Sequence, residues 1–392
     1  MIEFNNVDVV FGKQPERAIP LLDHGMSRSD ILDKTGLTVA VRNANLSVAK
    51  GEICVLMGLS GSGKSSLLRT ANGLNSICRG EVRLETDQGM QNFLALNEAE
   101  KRKVRMERIT MVFQKFALMP WLTVAQNVAF GLEQKGLDRA HINDSVMHQL
   151  DLVGLSQWAK KRPAELSGGM QQRVGLARAL AMETDIILMD EPFSALDPLI
   201  RNQLQDELLR LQEQLHKTVV FVSHDLDEAL KLGNHIAIMK DGEIVQHDTP
   251  ENIVLNPADD YVRNFVAHTN PVEVVKANAL LRPISELPRS NGEYCLSRRD
   301  NYWLTSGETP LKSRVRYGDE GHNLQEWSSN MPIEGLAKQP TLVFMNTLMK
   351  DIMEIRYHTG HGVFVVEQNS IVGYIGDKDI YHAMLGKLFE ED

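Results

Sequence analysis

The sequence predicts an α/β fold: a phosphate-binding core on a parallel sheet, an antiparallel β subdomain, a helical insertion and a small α+β unit towards the C-terminal end. Three observations carry this expectation. "EICVLMG" (52–58) is a continuous apolar strand that runs directly into "GLSGSGKSS" (58–66) and then into the helix "KSSLLRTANGL". "DIILMD" (185–190) and "TVVFVS" (218–223) repeat the uninterrupted apolar pattern of strands buried on both faces. Residues 95–180 read mostly as helix and interrupt this strand series.

The remaining elements follow in order. "IEFNNVDVVF" and "LTVAVRNANLSV" alternate apolar and polar residues, as half-buried antiparallel strands do. Residues 12–36 between them form an insert of two short helical pieces. The second, "SRSDILDKTG", has Ser27 or Ser29 as its cap and Gly36 as its stop. After the insertion, "PLIRNQLQDELLRLQEQL" is a helix between two core strands. "HIAIMKDGEIVQHDT" is a hairpin turned at Asp241-Gly242. Composition changes near residue 270, where a Pro-, Ser-, Asn- and Arg-rich stretch of weak periodicity begins. The domains are therefore expected at 1–270, with the helical subdomain at about 95–180, and at 271–392. Within the second, 341–389 reads as a compact β-α-β-β-α unit.

Bulk properties narrow the function. A chain of 392 residues holds two or three domains. A net charge of −10 opposes non-specific nucleic-acid binding, which needs a basic field. The densest basic run, "KRKVRMER" (101–108), is interleaved with glutamates and reads as a solvated helix face. Cys54, Cys78 and Cys295 lack metal-ligand spacing, and the usage fits a reducing compartment. No stretch approaches the 18 apolar residues of a membrane span, and the first residues lack a signal-peptide pattern. The expectation is a cytosolic protein whose membrane association comes through a partner.

The chemistry concentrates on strand ends. Gly58, Leu59, Ser60, Gly61, Ser62, Gly63, Lys64 and Ser65, followed by Ser66, match the pattern G-x-x-x-x-G-K-[ST] in full. The glycines turn backbone N–H groups inward, and the following helix sets its positive end on phosphates. Lys64 is assigned to the β and γ phosphates, and the Ser65 hydroxyl to Mg2+. Asp190, at the end of a buried strand beside this loop, is assigned to the same ion. Glu191 is placed to polarise an attacking water. His224 ends the next strand and is read as functional from that position. Further along, "ELSGGMQQRVGLARAL" (165–180) offers a second phosphate-facing helix start that lacks a lysine.

Taken together, these motifs resemble an ATP-binding cassette ATPase: the phosphate loop, Phe113-Gln114, "LSGGM" (166–170), "LMDE" (188–191), "SALD" (194–197) and "SHD" (223–225). The resemblance covers roughly residues 1–265 and implies a RecA-like phosphate-loop core. It implies that Gln114 contacts Mg2+ or water and links the site to a transmembrane partner, that Asp197 lines a dimer interface, and that His224 holds the γ-phosphate. Phe11 is the candidate for stacking on adenine. In this family a head-to-tail homodimer closes each nucleotide with the partner's "LSGGM", here Ser167, Gly168 and Gly169. A DNA-repair cassette would carry a coiled-coil or zinc-bearing insertion, and a translation-factor type would carry two cassettes. Neither feature is in this sequence. No membrane helices are fused to the cassette, which suggests an importer fed by an extracytoplasmic binding protein.

Four stretches resemble the quaternary-amine importers for glycine betaine, proline betaine, choline or carnitine. They are "RAIPLLDHGMSRSDILDKTGLTVAV", "MGLSGSGKSSLLR", "MVFQKFALMPWLTVAQNVAFGLE", and "FSALDPLIRNQLQDELLRLQ" followed by "DLDEAL". The implied location is the cytoplasmic face of the inner membrane, as a peripheral subunit on transmembrane permease subunits. The unit 341–389 is similar to a CBS-type repeat, and 277–335 is read as a degenerate first copy. Nucleotide-binding repeats carry Gly-x-x-[Ser/Thr]-x-x-Asp, whereas this chain has Gly373, Gly376 and Asp379 in that register. The aspartate is present and the hydroxyl is missing, which argues against nucleotide sensing. The net charge of −4 over 277–392 does not favour an anionic membrane, and dimerisation or structural capping is the simpler role.

Overall fold

In the computed structural model, residues 1–86, 89–267 and 269–385 are described. The chain divides into two compact units, Met1–Thr249 and Pro250–Asp392, a division that precedes the composition change at 270.

The first unit begins with the expected antiparallel pair. β1 (Ile2–Phe11) runs against β2 (Thr38–Val48) and, on its other side, against β4 (Arg79–Thr86). β5 (Gly89–Asn92) completes the sheet in the order β2-β1-β4-β5. The insert holds α1 (Ile19–Asp23) and α2 (Arg28–Thr35). Ser27 is the cap, its hydroxyl accepting from the Asp30 N–H, and Gly36 ends the helix at φ 71°. Ile31 and Leu22 pack onto Val10 and Val39, so apolar burial holds the insert on the subdomain.

The core sheet places β3 (Ile53–Met57), β6 (Ile109–Val112), β7 (Ile186–Asp190), β8 (Thr218–Val222), β9 (His235–Lys240) and β10 (Glu243–Asp248) in the order β10-β9-β3-β8-β7-β6. Neighbours from β9 to β6 are parallel, and β10 returns antiparallel through Asp241-Gly242, both at positive φ. Every residue of β3, β7 and β8 is buried, which accounts for their unbroken apolar sequences. α3 (Lys64–Leu68) follows β3 directly.

Residues 95–180 contain α4 (Glu98–Glu107), α5 (Val124–Gln134), α6 (Arg139–Leu152) and α7 (Gly168–Ala181). They also contain β6, which the helical reading of this stretch overlooked. Four residues, "ITMV", are too few to set a period, and it is pairing with β7 that defines the strand. α4 starts at an Asn97–Glu100 capping box and buries none of its residues, as expected of a solvated basic face. α8 (Pro198–Leu215) and α9 (Leu226–Leu232) complete the unit.

The second unit opens with α10 (Pro250–Leu255), α11 (Asp260–Val266) and α12 (Ala277–Leu280). Short strands β11 (Arg282–Pro283), β12 (Arg289–Ser290), β13 (Glu293–Ser297), β14 (Tyr302–Thr305), β15 (Arg314–Tyr317), β16 (Glu320–Asn323) and β17 (Gln325–Glu326) follow. β12 to β16 form an antiparallel meander in sequence order. A β-α-β-β-α copy at 277–335 is therefore not what forms: hairpins take the place of a crossover helix. The unit from 341 has the expected order: β18 (Thr341–Phe344), α13 (Met349–Thr359), β19 (Val363–Glu367), β20 (Ser370–Ile375) and α14 (Asp377–Leu385). Its expected last residues, 386–389, lie outside the described residues.

Asp379 is 2% exposed, and its carboxylate accepts from the Gly376 N–H at 2.6 Å and pairs with Arg282 at 3.0 Å. Burial pushes its pKa up, while Arg282 and the Gly376 amide act the other way.

Candidate nucleotide site

The loop after β3 has a shape that only glycine permits at two positions. Gly58 sits at φ 138° and a Cβ there would lie 2.1 Å from the Met239 carbonyl oxygen. Gly63 sits at φ 104° with the Ala40 carbonyl oxygen 2.3 Å from such a Cβ. The neighbouring strands thus press the loop into one conformation, with Gly63 capping α3. Lys64 is buried and donates to the carbonyls of Gly58 at 2.7 Å and Leu59 at 3.0 Å. Burial lowers its pKa, while Glu191 and Asp190 raise it. The buried Ser62 hydroxyl has no hydrogen-bond partner among the described residues, an orphan inside the glycine-rich loop.

Asp190 ends β7 fully buried. One carboxylate oxygen accepts from the Ser65 hydroxyl at 2.7 Å and the other from Arg69 at 2.7 Å. Ser65 and Arg69 are four residues apart, which sets them on one face of a helical turn. That spacing was the available signal for Arg69, which motif matching passes over.

Glu191, at φ 50°, turns the chain sharply at the strand end, and its N–H donates to the Val222 carbonyl at 3.1 Å. Its carboxylate accepts from the Gln114 amide at 3.1 Å, and His224 Nδ1 lies 3.6 Å away. The motif residues Gln114, Glu191 and His224, far apart in sequence, thus share one corner. A cavity of about 80 Å3 there is lined by Glu191, Ser194, Arg201, Ser223, His224 and Glu228.

Further side chains hold this corner. Arg201 on α8 pairs with Asp225 at 3.0 Å, while Ser223 donates to Glu228 at 2.7 Å, so both flanks of His224 are tied down. Burial pushes the Glu228 pKa up, opposed by the Ser223 bond. Gln172 on α7 is 1% exposed. It donates to the Glu191 carbonyl at 3.0 Å and accepts from the Ala195 N–H at 3.0 Å. Nothing local in the sequence marks a glutamine as such a bridge.

Ser167 caps α7 by accepting from the Met170 N–H, a Cβ at Gly168 would meet open space, and one at Gly169 would lie 2.9 Å from the Ala195 carbonyl oxygen. Asp197 caps α8 by accepting from the Ile200 N–H. Ser60 and Gly61 lie exposed on the phosphate loop, and Ser66 is half-buried in α3. Phe11, the last residue of β1, is 44% exposed. Arg28 of the insert reaches the loop: its guanidinium donates to the Gly61 carbonyl at 3.3 Å and the Val39 carbonyl at 2.6 Å.

A buried lysine on a glycine-shaped loop, beside a strand-end Asp-Glu pair, defines an ATPase of the phosphate-loop class. The ABC transporter family model matches residues 41–194. The glycine betaine/proline betaine transport system ATP-binding protein ProV of Escherichia coli (strain K12) is 49% identical over 72% of this chain and 69% of its own length. The glycine betaine transport ATP-binding protein OpuAA of Bacillus subtilis (strain 168) is 46% identical over 94% of this chain and 88% of its own. A solved ATP-binding cassette, a dimer in a post-hydrolysis state bound to ADP and Pi, is 33% identical, with a TM-score of 0.55 over 64% of this chain and 99% of that one. The chain belongs to the ABC transporter family, as an ATP-binding subunit with ATPase chemistry. No helix among the described residues is long and apolar enough to cross a membrane.

Proposed function

We propose that the chain powers uptake of a quaternary amine such as glycine betaine, proline betaine or choline, hydrolysing ATP as a head-to-tail homodimer. The carrying observation is the division of labour between two helix starts: α3 is backed by a lysine, and α7 presents Ser167 and Gly168 without one. The similarity to two betaine-transport ATP-binding proteins supports the substrate class. The insert held at 12–36 belongs to the same likeness.

Each residue then has a role. Lys64 exchanges two backbone carbonyls for the β and γ phosphate oxygens. Phe11 stacks on adenine, and Ser60, Gly61, Ser62, Gly63, Ser65 and Ser66 surround the phosphates with hydroxyl and N–H donors. Glu191 orients the water that attacks the γ-phosphorus and takes its proton as the bond to ADP breaks. His224 donates to the γ-phosphate, and Gln114 holds Glu191. Ser167, Gly168 and Gly169 of the other copy close the site, with Asp197 at the seam. Ser65, Asp190 and Gln114 can each offer an oxygen ligand, a set that suits a hard cation, so Mg2+ fits there. Mg2+ supplies charge neutralisation on the phosphates when bound.

The partners are transmembrane permease subunits, with an extracytoplasmic binding protein delivering solute, and the subunit works on the cytoplasmic membrane face. Nucleic acid has no part. Glu191→Gln is expected to bind ATP and elute as a dimer in size-exclusion chromatography. A monomer with bound ATP would sink the composite site. In proteoliposomes holding permease and binding protein, glycine betaine is expected to stimulate ATP turnover several-fold. A flat response to all quaternary amines would remove the substrate assignment.

A further inference from the structure

At the end of the core sheet away from the phosphate loop, three metal-ligand side chains meet. Glu52 precedes β3, His235 opens β9, and His247 lies in β10. The strand register explains the meeting. Cys54 pairs with His235 across β3 and β9, and Ala237 pairs with His247 across β9 and β10. Side chains alternate with period two along a strand. Glu52 therefore shares a face with Cys54, and His235 shares that face with Ala237 and His247.

The atoms are close. His235 Nδ1 is 2.5 Å from Glu52 Oε1, and the two imidazole centroids are 5.3 Å apart at 52°. One ligand atom from each of the three residues lies within 4.8 Å of the others. The other Glu52 oxygen accepts from the Ala49 N–H at 2.6 Å, which fixes the carboxylate. His247 Nε2 is buried and has no hydrogen-bond partner among the described residues. A Glu–His hydrogen bond alone accounts for two of the residues and leaves this nitrogen unexplained, although unpaired buried polar atoms are costly. Burial and the neighbouring His235 push the His247 pKa down.

We propose that Glu52, His235 and His247 form a binding site for a borderline transition-metal ion, Zn2+ foremost, separate from the nucleotide site. Two imidazoles and one carboxylate are a donor set for Zn2+ and disfavour Mg2+. Three protein ligands leave a fourth position for water. The ion joins the starts of two core strands to the hairpin strand β10, so it acts as a clasp on the sheet that carries the phosphate loop.

The test is a Zn2+ titration of the full-length, nucleotide-free protein against a chromophoric chelator, with MgCl2 as the control ion. One equivalent of Zn2+ is expected to bind the native chain. His247→Val and His235→Asn should each weaken binding at least tenfold, and Lys64→Ala should leave it unchanged. Far-UV circular dichroism confirms that each variant is folded. As a second readout on the unaltered protein, Co2+ should give the intense visible bands of a four-coordinate site, which Zn2+ then bleaches. Absence of stoichiometric binding, or equal affinity in folded His247→Val, would overturn the site.

Discussion

α3 and α7 both begin as phosphate-facing helices, and they are built in opposite ways. The start of α3 is enclosed: Gly58 and Gly63 hold conformations that neighbouring carbonyls leave to glycine alone, and Lys64 is buried against the loop's own backbone. Asp190 and Arg69 lie directly beneath it. The start of α7 is open, since Ser167 caps only its own first turn and Gly168 faces free space. Its attachment lies one turn inward, where Gln172 ties the helix to Glu191. The enclosed start is equipped to bind a triphosphate by itself. The open start has no such enclosure, and its tie to the site is the Gln172 bond to the main-chain carbonyl of Glu191.

Three substitutions test that contrast. Lys64→Ala removes the charge from the enclosed start and should lower kcat/KM by about 100- to 1000-fold, the range for losing one preorganised electrostatic group. ATP affinity should fall with it, as measured by equilibrium binding. Under the proposed head-to-tail dimer, Ser167→Arg should likewise abolish turnover in the assembled transporter, yet leave ATP affinity of the isolated subunit within about twofold. A large loss of affinity there would mean that the two starts are not separate halves. Gln172→Ala should have the smallest effect, roughly a tenfold fall in kcat with KM unchanged, because a positioning bond and no transition-state contact is lost. If KM moved instead, the positioning role of the bond from α7 to Glu191 would be wrong.

How much could be read beforehand follows from how far each signal reaches. The phosphate loop, the strand-end acids and the Asp241-Gly242 turn are local chemistry, in which a few adjacent residues dictate the backbone, and they were legible. So was the insert, because Ser27 and Gly36 are local cap signals. β6 was not, since four residues become a strand only through β7. The meander at 289–323 was missed for the same reason: its strands run from two to five residues and are specified by their partners. At the site, Gln172 and Arg201 act across long sequence separations, so no local pattern announces them. Arg69 was within reach, because its spacing from Ser65 is that of one helical turn.

The Arg282–Asp379 pair in the second unit has a consequence for what this unit can become. A ligand that needed the aspartate would have to evict an internal guanidinium that already stacks over Tyr374, 5.4 Å from its ring centroid. The carboxylate's attraction is spent within the chain, so any visiting hydroxyl competes with a tethered cation at very high local concentration. Freeing this seat for a ligand would require removal of the arginine.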